Sequence, residues 1–384
     1  MFRPRYRLPA AAAAALLAAA VSAAPAADEL RQQALSGDVE KQLLLADEYL
    51  FGRNRPGNQA LAAYWYRRAA ERGSAAGKYN LGCCYEFGWG VERCRHQALA
   101  LYSEAAERGL WSAAVRRARL VYSGIPEEQL GERRFEALPP DRDAGLRELR
   151  RACDAGFSPA KLALALLLCD DPALRREHAP EIGRLAREAA EAPDATVAAK
   201  LFYARCLRHG VGVPPDPKRA LELYREAADK GDPSGMVFLG DKLLADGETE
   251  KAYQWYSRAA KLDCPFACAK AGDCLAFGWG VAPDMKAAFK LYEQGARLGD
   301  ASSQYKLGKC FADGRGTRPD PAAAVFWYKC AVAGGSRDAV RELGAALLFG
   351  RGVPPDPAEG RRLLEAAANA GDSEAAEILN GKDK

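Results

Sequence analysis

The fold is decided by the stretch Asp300–Gly371, which consists of two consecutive copies of one 36-residue unit. The first copy ends at Gly335 and reads DASSQYKLGKCFADGRGTRPDPAAAVFWYKCAVAGG. The second ends at Gly371 and reads SRDAVRELGAALLFGRGVPPDPAEGRRLLEAAANAG. A third closing glycine, Gly299, stands another 36 residues back. A fixed period of this length is typical of repeat proteins, in which each unit buries its apolar face by stacking on the next.

Each unit is predicted to form two helices. In the first copy, apolar or small residues recur at helical spacing over Ser302–Ala312. Gly314 and Gly316 follow, and glycine ends a helix without a Cβ clash. Asp320 then caps a second helix, Pro321–Ala333, whose first residue is proline.

The same columns of small and aromatic residues recur along the chain. A small residue follows each closing position by nine residues in nine units, with a slip of one residue before the fifth: Ala46, Gly82, Ala118, Ala165, Ala204, Gly240, Gly272, Gly308 and Gly344. A tyrosine precedes the close by seven residues in six units: Tyr66, Tyr102, Tyr224, Tyr256, Tyr292 and Tyr328. Small residues allow helix axes to approach to about 8–10 Å, and the tyrosine fills the remaining space. The sequence therefore predicts nine helix pairs.

These units resemble Sel1-like repeats (SLR), relatives of the tetratricopeptide repeat. The resemblance is carried by Leu-Gly at 81–82, 239–240, 307–308 and 343–344, and by Gly-x-Gly-Val at 88–91, 210–213, 278–281 and 350–353. It covers about residues 38–371. It implies an all-α, right-handed solenoid of about nine antiparallel helix pairs with a concave groove. It also implies a role as an adaptor that binds a peptide or a partner protein.

The first 27 residues have a composition of their own. Arg3, Arg5 and Arg7 precede an Ala-rich apolar run and a stretch of small residues, as in a secretory signal peptide. We therefore expect an exported, periplasmic or secreted bacterial protein with no transmembrane span in the mature chain. An uncleaved anchor and a disordered leader remain alternatives. Without the leader the net charge of +4 falls to about +1, so no basic stripe favours nucleic acid.

The remaining chain is predicted to be one array over residues 28–371 with a C-terminal capping helix and tail at 372–384. The array is irregular at 110–194. There, the third repeat is 47 residues long and carries a predicted loop extension around Gly124–Asp143. The fourth has no glycine-rich loop between its helices.

The eleven cysteines allow several interpretations. Four lie two residues after the small packing position, where equivalent residues of neighbouring repeats are too far apart for a disulfide. We predict that these four are buried core residues: Cys84, Cys206, Cys274 and Cys310. Cys83 and Cys94 could approach each other across a helix–loop corner, and export would permit disulfides.

Cys264, Cys268 and Cys274 loosely resemble a metal cluster, although no fourth ligand stands nearby. A thiol-based metal or redox module is therefore kept as an alternative function. No motif predicts a cofactor.

Two Ser-x-x-Lys tetrads, Ser158–Lys161 and Ser303–Lys306, match one motif of penicillin-recognising enzymes. Some members of the resembled family have carried a penicillin-binding or weak β-lactamase label. The companion motifs Ser-Asp-Asn and Lys-Thr-Gly do not follow, and serine is a natural helix cap. An envelope enzyme acting on β-lactam or peptidoglycan-like substrates is the second alternative to a non-enzymatic scaffold.

The candidate contacts with a partner are Trp89 and Trp279, which stand at the same place in two copies of Phe-Gly-Trp-Gly-Val. An exposed tryptophan on an interhelical loop is a typical binding anchor. The alternative is that each ring packs on a neighbouring repeat.

Overall fold

The computed structural model describes residues 29–54 and 56–381. The predicted signal peptide lies outside these residues. The chain divides between Ala195 and Thr196 into two compact units.

In its described residues, the first unit contains ten helices and one two-stranded antiparallel sheet. The elements are α1 Glu29–Ser36, α2 Val39–Phe51, α3 Gln59–Glu71, α4 Ala75–Phe87, α5 Arg95–Glu107, α6 Trp111–Ser123, β1 Glu128–Leu130, β2 Arg133–Phe135, α7 Arg142–Asp154, α8 Ser158–Asp170, α9 Pro172–Glu177 and α10 Ala179–Glu191.

The second unit, in its described part, contains eleven helices. They are α11 Val197–His209, α12 Pro217–Asp229, α13 Pro233–Ala245, α14 Thr249–Ala260, α15 Pro265–Phe277, α16 Met285–Arg297, α17 Ala301–Asp313, α18 Pro321–Ala333, α19 Arg337–Phe349, α20 Pro357–Asn369 and α21 Ser373–Leu379.

The helices pack as successive pairs. Four pairs lie in the first unit, α2/α3, α4/α5, α6/α7 and α8/α10, and five in the second, from α11/α12 to α19/α20. Within each unit, most pairs also contact the next through the second helix of one and the first helix of the other. The predicted all-α architecture of about nine helix pairs is confirmed.

Local sequence sets the helix ends. In α18, the Asp320 side chain accepts a hydrogen bond from the backbone N–H of Ala323 at 3.0 Å, which satisfies one of the free donors of the first turn. The preceding helix, α17, ends at Gly314, whose φ of 68° lies in the left-handed region. The amide of Gly314 donates to the carbonyl of Cys310.

The recurring small residue and the recurring tyrosine are partners within one helix pair. A Cβ placed on Gly272 would lie 2.5 Å from a ring carbon of Tyr292. Gly240 faces Tyr256 at the same distance, because the two repeats share one packing scheme. The tyrosine ring thus occupies the space that a side chain on the first helix would need.

The second glycine of the loop lies against the preceding repeat. A Cβ on Gly280 would lie 2.2 Å from the carbonyl carbon of Thr249, at the start of α14. The φ of Gly280 is also positive, at 71°. Only glycine fits this close approach of two backbones without strain.

The predicted loop extension of the third repeat is wrong in part, because β1 and β2 form a hairpin there. Ile125 is buried in the core beside the fourth and fifth helices, and its backbone pairs with that of Leu138. Glu128 accepts a hydrogen bond from the backbone N–H of His96 at 3.2 Å. The hairpin therefore caps α5, whose own N-cap residue, Cys94, makes no side-chain cap.

Candidate partner-binding surface

In the second unit, the first helices of successive pairs touch one another. The helix α15 contacts α13 and α17, and α19 contacts α21. Successive second helices of the described pairs make no comparable contact. The first helices thus bring side chains of neighbouring repeats together, and we call the surface of α13, α15, α17, α19 and α21 the first-helix face.

Asp273 is the centre of one cluster on this face. Its Oδ1 accepts a hydrogen bond from the Tyr292 hydroxyl at 2.8 Å and pairs with Nζ of Lys306, in the next repeat, at 3.0 Å. Burial and the Asp273 carboxylate raise the pKa of Tyr292 far above its ordinary value. The tyrosine therefore remains a donor throughout the physiological pH range, and Asp273 links two repeats.

The same cluster recurs one repeat earlier. Oδ1 of Asp241 accepts from the Tyr256 hydroxyl at 2.6 Å and pairs with Nζ of Lys270 at 3.0 Å. In the first unit, the Tyr66 hydroxyl donates to Asp47 in the same way. The carboxylate in all three cases directly follows the small packing residue, so this contact belongs to the repeat and not to one site.

The charge at this position is reversed in the next repeat, where Lys309 stands at the position of Asp273. Nζ of Lys309 lies 3.4 Å from a carboxylate oxygen of Glu342 on α19. The buried hydroxyl of Tyr328 has no hydrogen-bond partner among the described residues. Burial, and after it Glu342, raises the pKa of the neighbouring Tyr305 to about 12.

The face ends at α21 with a second ion-pair group. Arg341 lies 2.8 Å from Asp372, which caps α21, and 3.2 Å from Glu374. Among the ion pairs of the face, Asp241–Lys270 is nearly half exposed, whereas Lys306–Asp273 and Arg341–Asp372 are mostly buried. An exposed pair such as Asp241–Lys270 stabilises a fold by only about 0–1 kcal/mol. A charged ligand can therefore exchange with it at small cost.

The two predicted anchor tryptophans lie in different surroundings. Trp279 is 41% exposed and stacks on Phe277, itself 56% exposed, with ring centroids 5.1 Å apart. Trp89 stacks similarly on Phe87 at 4.9 Å. It is half-buried, however, and packs against two core clusters. The sequence did not single out Phe277, although its place before the helix-ending glycine was visible.

The four cysteines that were predicted to be core residues are buried, as expected: Cys84, Cys206, Cys274 and Cys310. All eleven thiols are free. Burial raises the pKa of Cys274 and of Cys310 to about 11. Cys83 and Cys94 are both buried without a bridge, and the Tyr102 hydroxyl donates to Sγ of Cys83 at 3.4 Å.

The three cysteines of the proposed metal cluster lie along α15. Cys264 is the N-cap residue, and Cys268 and Cys274 are buried farther along the helix. Within residues 29–54 and 56–381, no group of three or more histidine, cysteine, aspartate or glutamate side chains is arranged to hold a metal ion.

The two Ser-x-x-Lys serines are placed differently. Ser303 is fully buried, and its hydroxyl donates to Oδ2 of Asp300 at 2.6 Å. Its tetrad partner, Lys306, pairs with Asp273. Ser158 is half-buried at the first turn of α8. The Ser303 hydroxyl thus acts as part of a helix cap, which leaves it poorly placed to meet a substrate.

A polar cavity of about 220 Å³ lies in the first unit between α7, α8 and α10. Cys153 lines it together with Lys161, which pairs with Glu188 at 2.8 Å. Burial raises the pKa of Cys153 to about 11, although Lys161 acts in the opposite direction. The thiol is therefore protonated at neutral pH and is a weak nucleophile.

Across the described part of the chain, no helix combines the length and the apolar composition needed to cross a bilayer.

Comparison with known proteins agrees with this architecture. The Sel1 repeat family model matches seven segments: 42–74, 75–110, 197–232, 233–264, 265–300, 301–336 and 337–372. The gap between the second and third segments holds the two irregular repeats, which still fold as helix pairs.

Two curated proteins and one solved structure are similar to this chain. Chitin synthase regulatory factor 3 of Schizosaccharomyces pombe is 27% identical over 58% of this chain and 24% of its own length. An uncharacterised protein of Neisseria meningitidis serogroup B is 27% identical over 56% of this chain and 41% of its own length. The match thus spans less than half of either relative. A protective antigen of uropathogenic Escherichia coli with an SLR fold is 25% identical, with a TM-score of 0.56, over 92% of this chain and 75% of the antigen.

The family model covers more than half of the sequence, and the helix pairs carry its packing residues at a period of 36. The chain belongs to the Sel1 repeat family.

Proposed function

We propose that this protein is an exported, non-enzymatic scaffold that holds a peptide or a partner protein on the first-helix face. The observation that carries the proposal is the row of clusters that joins neighbouring first helices, from Asp241–Lys270 to Arg341–Asp372. A rigid row of carboxylates and cations at repeat spacing offers an extended ligand several charged contacts in a fixed order.

The exposed Phe277–Trp279 pair supplies an apolar anchor beside this row. Aromatic residues contribute a large share of the binding energy in protein interfaces, and the surrounding polar groups mainly set register. We therefore propose that Trp279 contacts the partner. Trp89, which is half-buried against the core, has a smaller part.

The non-enzymatic part of the proposal is supported by the surroundings of the nucleophile candidates. Ser303 is buried in a helix cap. Cys153 has a raised pKa. An activated nucleophile needs a lowered pKa or an adjacent base together with access to substrate.

Position-specific photocrosslinking tests the binding surface. A photoreactive phenylalanine analogue replaces Lys270 or Lys309 on the first-helix face, and Lys218 on the outer side of α12 serves as the control position. We expect a discrete protein adduct in living cells from Lys270 and Lys309 and none from Lys218. Adducts of equal yield at all three positions, or at none, would contradict the proposed surface.

Export is proposed from the composition of residues 1–27 alone. These residues, fused to alkaline phosphatase, should give an active enzyme, because that enzyme acquires its disulfides only in an oxidising compartment. A fusion in which Leu16 and Leu17 are replaced by glutamate is the control and should be inactive. An inactive native fusion would contradict export.

A further inference from the structure

The outer side of α18 differs from the outer sides of the other second helices. Phe326 points outward there and is 58% exposed. Phe326 stands nine residues before the closing position of its repeat. At the same position, five other repeats carry an exposed polar or charged residue: Arg147, Glu222, Gln254, Lys290 and Arg362. Ala322 and Ala333 are exposed on the same helix, where α16 has Lys286 and Arg297. Two further repeats carry Tyr64, which is partly buried, and the small exposed Ala100 at this position. Phe326 thus differs in placing a large exposed ring there, and such a surface indicates a contact with another molecule.

Phe326 has firm support. Its ring lies edge-on to that of Trp327, with centroids 5.1 Å apart and an interplanar angle of 79°. Trp327 in turn packs against the core cluster that includes Tyr292 and Leu307. The exposed ring therefore stands on a rigid base, and a partner would pay little entropy to order it.

Positive charge lies on both sides of Phe326. Lys290 on α16 and Arg362 on α20 occupy its position in the preceding and following repeats. Arg362 is bound to Glu359 by two contacts of 2.7 Å. On α16, α18 and α20, four exposed cationic side chains form no ion pair with any described residue. Of the exposed carboxylates on these three helices, Glu365 likewise forms no ion pair. The four cations are Lys286, Lys290, Lys329 and Arg361.

We propose that the α18 patch, defined as Phe326, Ala322 and Ala333 with the flanking Lys290 and Lys329, is a docking site for an acidic amphipathic segment of a partner protein. The segment places an apolar side chain on Phe326 and its carboxylates beside the unpaired lysines. Charge complementarity selects this occupant.

Two other occupants fit less well. A second copy of the chain would bring the same excess of positive charge to the contact, which opposes a symmetric dimer. An anionic bilayer requires an apolar surface spread over a plane, whereas here one aromatic ring stands between charged rows.

This inference rests on the proposed role as a protein-binding scaffold, but it uses a surface separate from the first-helix face. The test is selection of peptides from a displayed random library on the full chain, carried out in parallel on Phe326→Ser. Peptides enriched on the native chain and lost on Phe326→Ser should combine net negative charge with an aromatic or aliphatic residue.

Affinities of a selected peptide, measured by fluorescence anisotropy, then give the magnitude. Phe326→Ser should weaken binding at least about tenfold, as for an interface hot spot. Lys290→Glu should weaken binding and reduce its dependence on salt. Phe51→Ser removes a ring that is 61% exposed at the end of α2, outside the first-helix face. It is the matched control and should change affinity less than about twofold. Both rings are exposed, so both variants should melt like the native chain.

Each other result overturns the inference. If Phe326→Ser retains every enriched peptide, the docking site is elsewhere and the scaffold role stands. If no peptide is enriched on the native chain, the patch fails, and photocrosslinking at Lys270 and Lys309 decides separately whether the scaffold role stands. A concentration-dependent dimer that is lost in Phe326→Ser assigns the patch to self-association. Cosedimentation with vesicles of phosphatidylserine and phosphatidylcholine, without enrichment of acidic peptides, assigns it to a membrane.

Discussion

Replacing Tyr292 and Tyr328 separately by phenylalanine provides a matched test of the first-helix clusters. Both tyrosines occupy the same repeat position, and both rings pack against a glycine of the first helix. Their hydroxyls differ. That of Tyr292 donates to Asp273 at 2.8 Å, whereas that of Tyr328 is buried with no hydrogen-bond partner among the described residues.

The contact geometry gives the expected free energies of unfolding. A hydrogen bond to a charged group contributes about 1.5–3 kcal/mol. The Asp273 side chain is 17% exposed and keeps Lys306, so we expect a loss near the lower end, about 1.5 kcal/mol, in Tyr292→Phe. Tyr328→Phe removes a hydroxyl that was desolvated without compensation. We therefore expect no loss, or a gain of up to about 1 kcal/mol.

Urea unfolding followed by circular dichroism measures both variants against the native chain. The tyrosines lie in adjacent repeats of the second unit, so they report on the same cooperative segment. The reasoning is refuted if both substitutions destabilise the protein equally, or if Tyr328→Phe costs more than Tyr292→Phe. Either result would mean that the hydroxyl contact does not determine how much each substitution changes the free energy of unfolding.

Three further predictions concern the hairpin, the junction between repeats and the cavity. Glu128→Gln should destabilise the first unit by about 0.5–2 kcal/mol at pH 7 in urea unfolding, because the helix cap is weakened. Burial raises the pKa of Glu128, but the hydrogen bonds from His96 more than offset this, so the folded-state pKa lies below the ordinary value of 4.5. The Glu128 contribution is therefore complete above pH 4.5 and is lost as the pH falls through the lower folded value, a dependence that Glu128→Gln should lack. Gly280→Ala should speed amide hydrogen exchange at the start of α14, because the new Cβ would meet the backbone there. Gly299→Ala is the control and should not do so, because Gly299 has a similar φ but open space around it. Equal effects of the two substitutions would show that the backbone conformation alone matters. Cys153 should react with iodoacetamide at a rate that rises up to about pH 11, and a plateau near the ordinary thiol pKa of about 8.5 would show that it is not desolvated.

The helix pairs were predictable because their signals are local and repeated. Gly272 and Tyr292 stand in columns that recur every 36 residues over most of the chain. The same columns predicted that Cys274 is buried, since Cys84, Cys206 and Cys310 stand at the equivalent position, two residues after the small one, in other repeats. The irregular third repeat was less predictable. The contact of Glu128 with α5 joins residues that are 32 positions apart, and no periodic pattern reports such a contact.

The candidate binding residues were likewise predictable only in part. The sequence indicated Trp89 and Trp279 as equivalent, yet the structure exposes one ring and packs the other against two core clusters. The difference arises from neighbours in other helices, which a motif does not contain. Similarly, Phe326 is only one more aromatic residue in an apolar helix until the packing shows which side faces out.

The sequence by itself determined the repeat, the two helices of each unit and the small residues where the helices meet, because a period of 36 residues imposes one packing solution many times over. Only the tertiary structure decided which carboxylate meets which tyrosine and lysine across neighbouring first helices, which hydroxyl remains without a partner, and which aromatic rings face solvent. These are contacts between segments that lie about one repeat apart. Their distances depend on how neighbouring helices are rotated and spaced, and side-chain periodicity does not encode that arrangement.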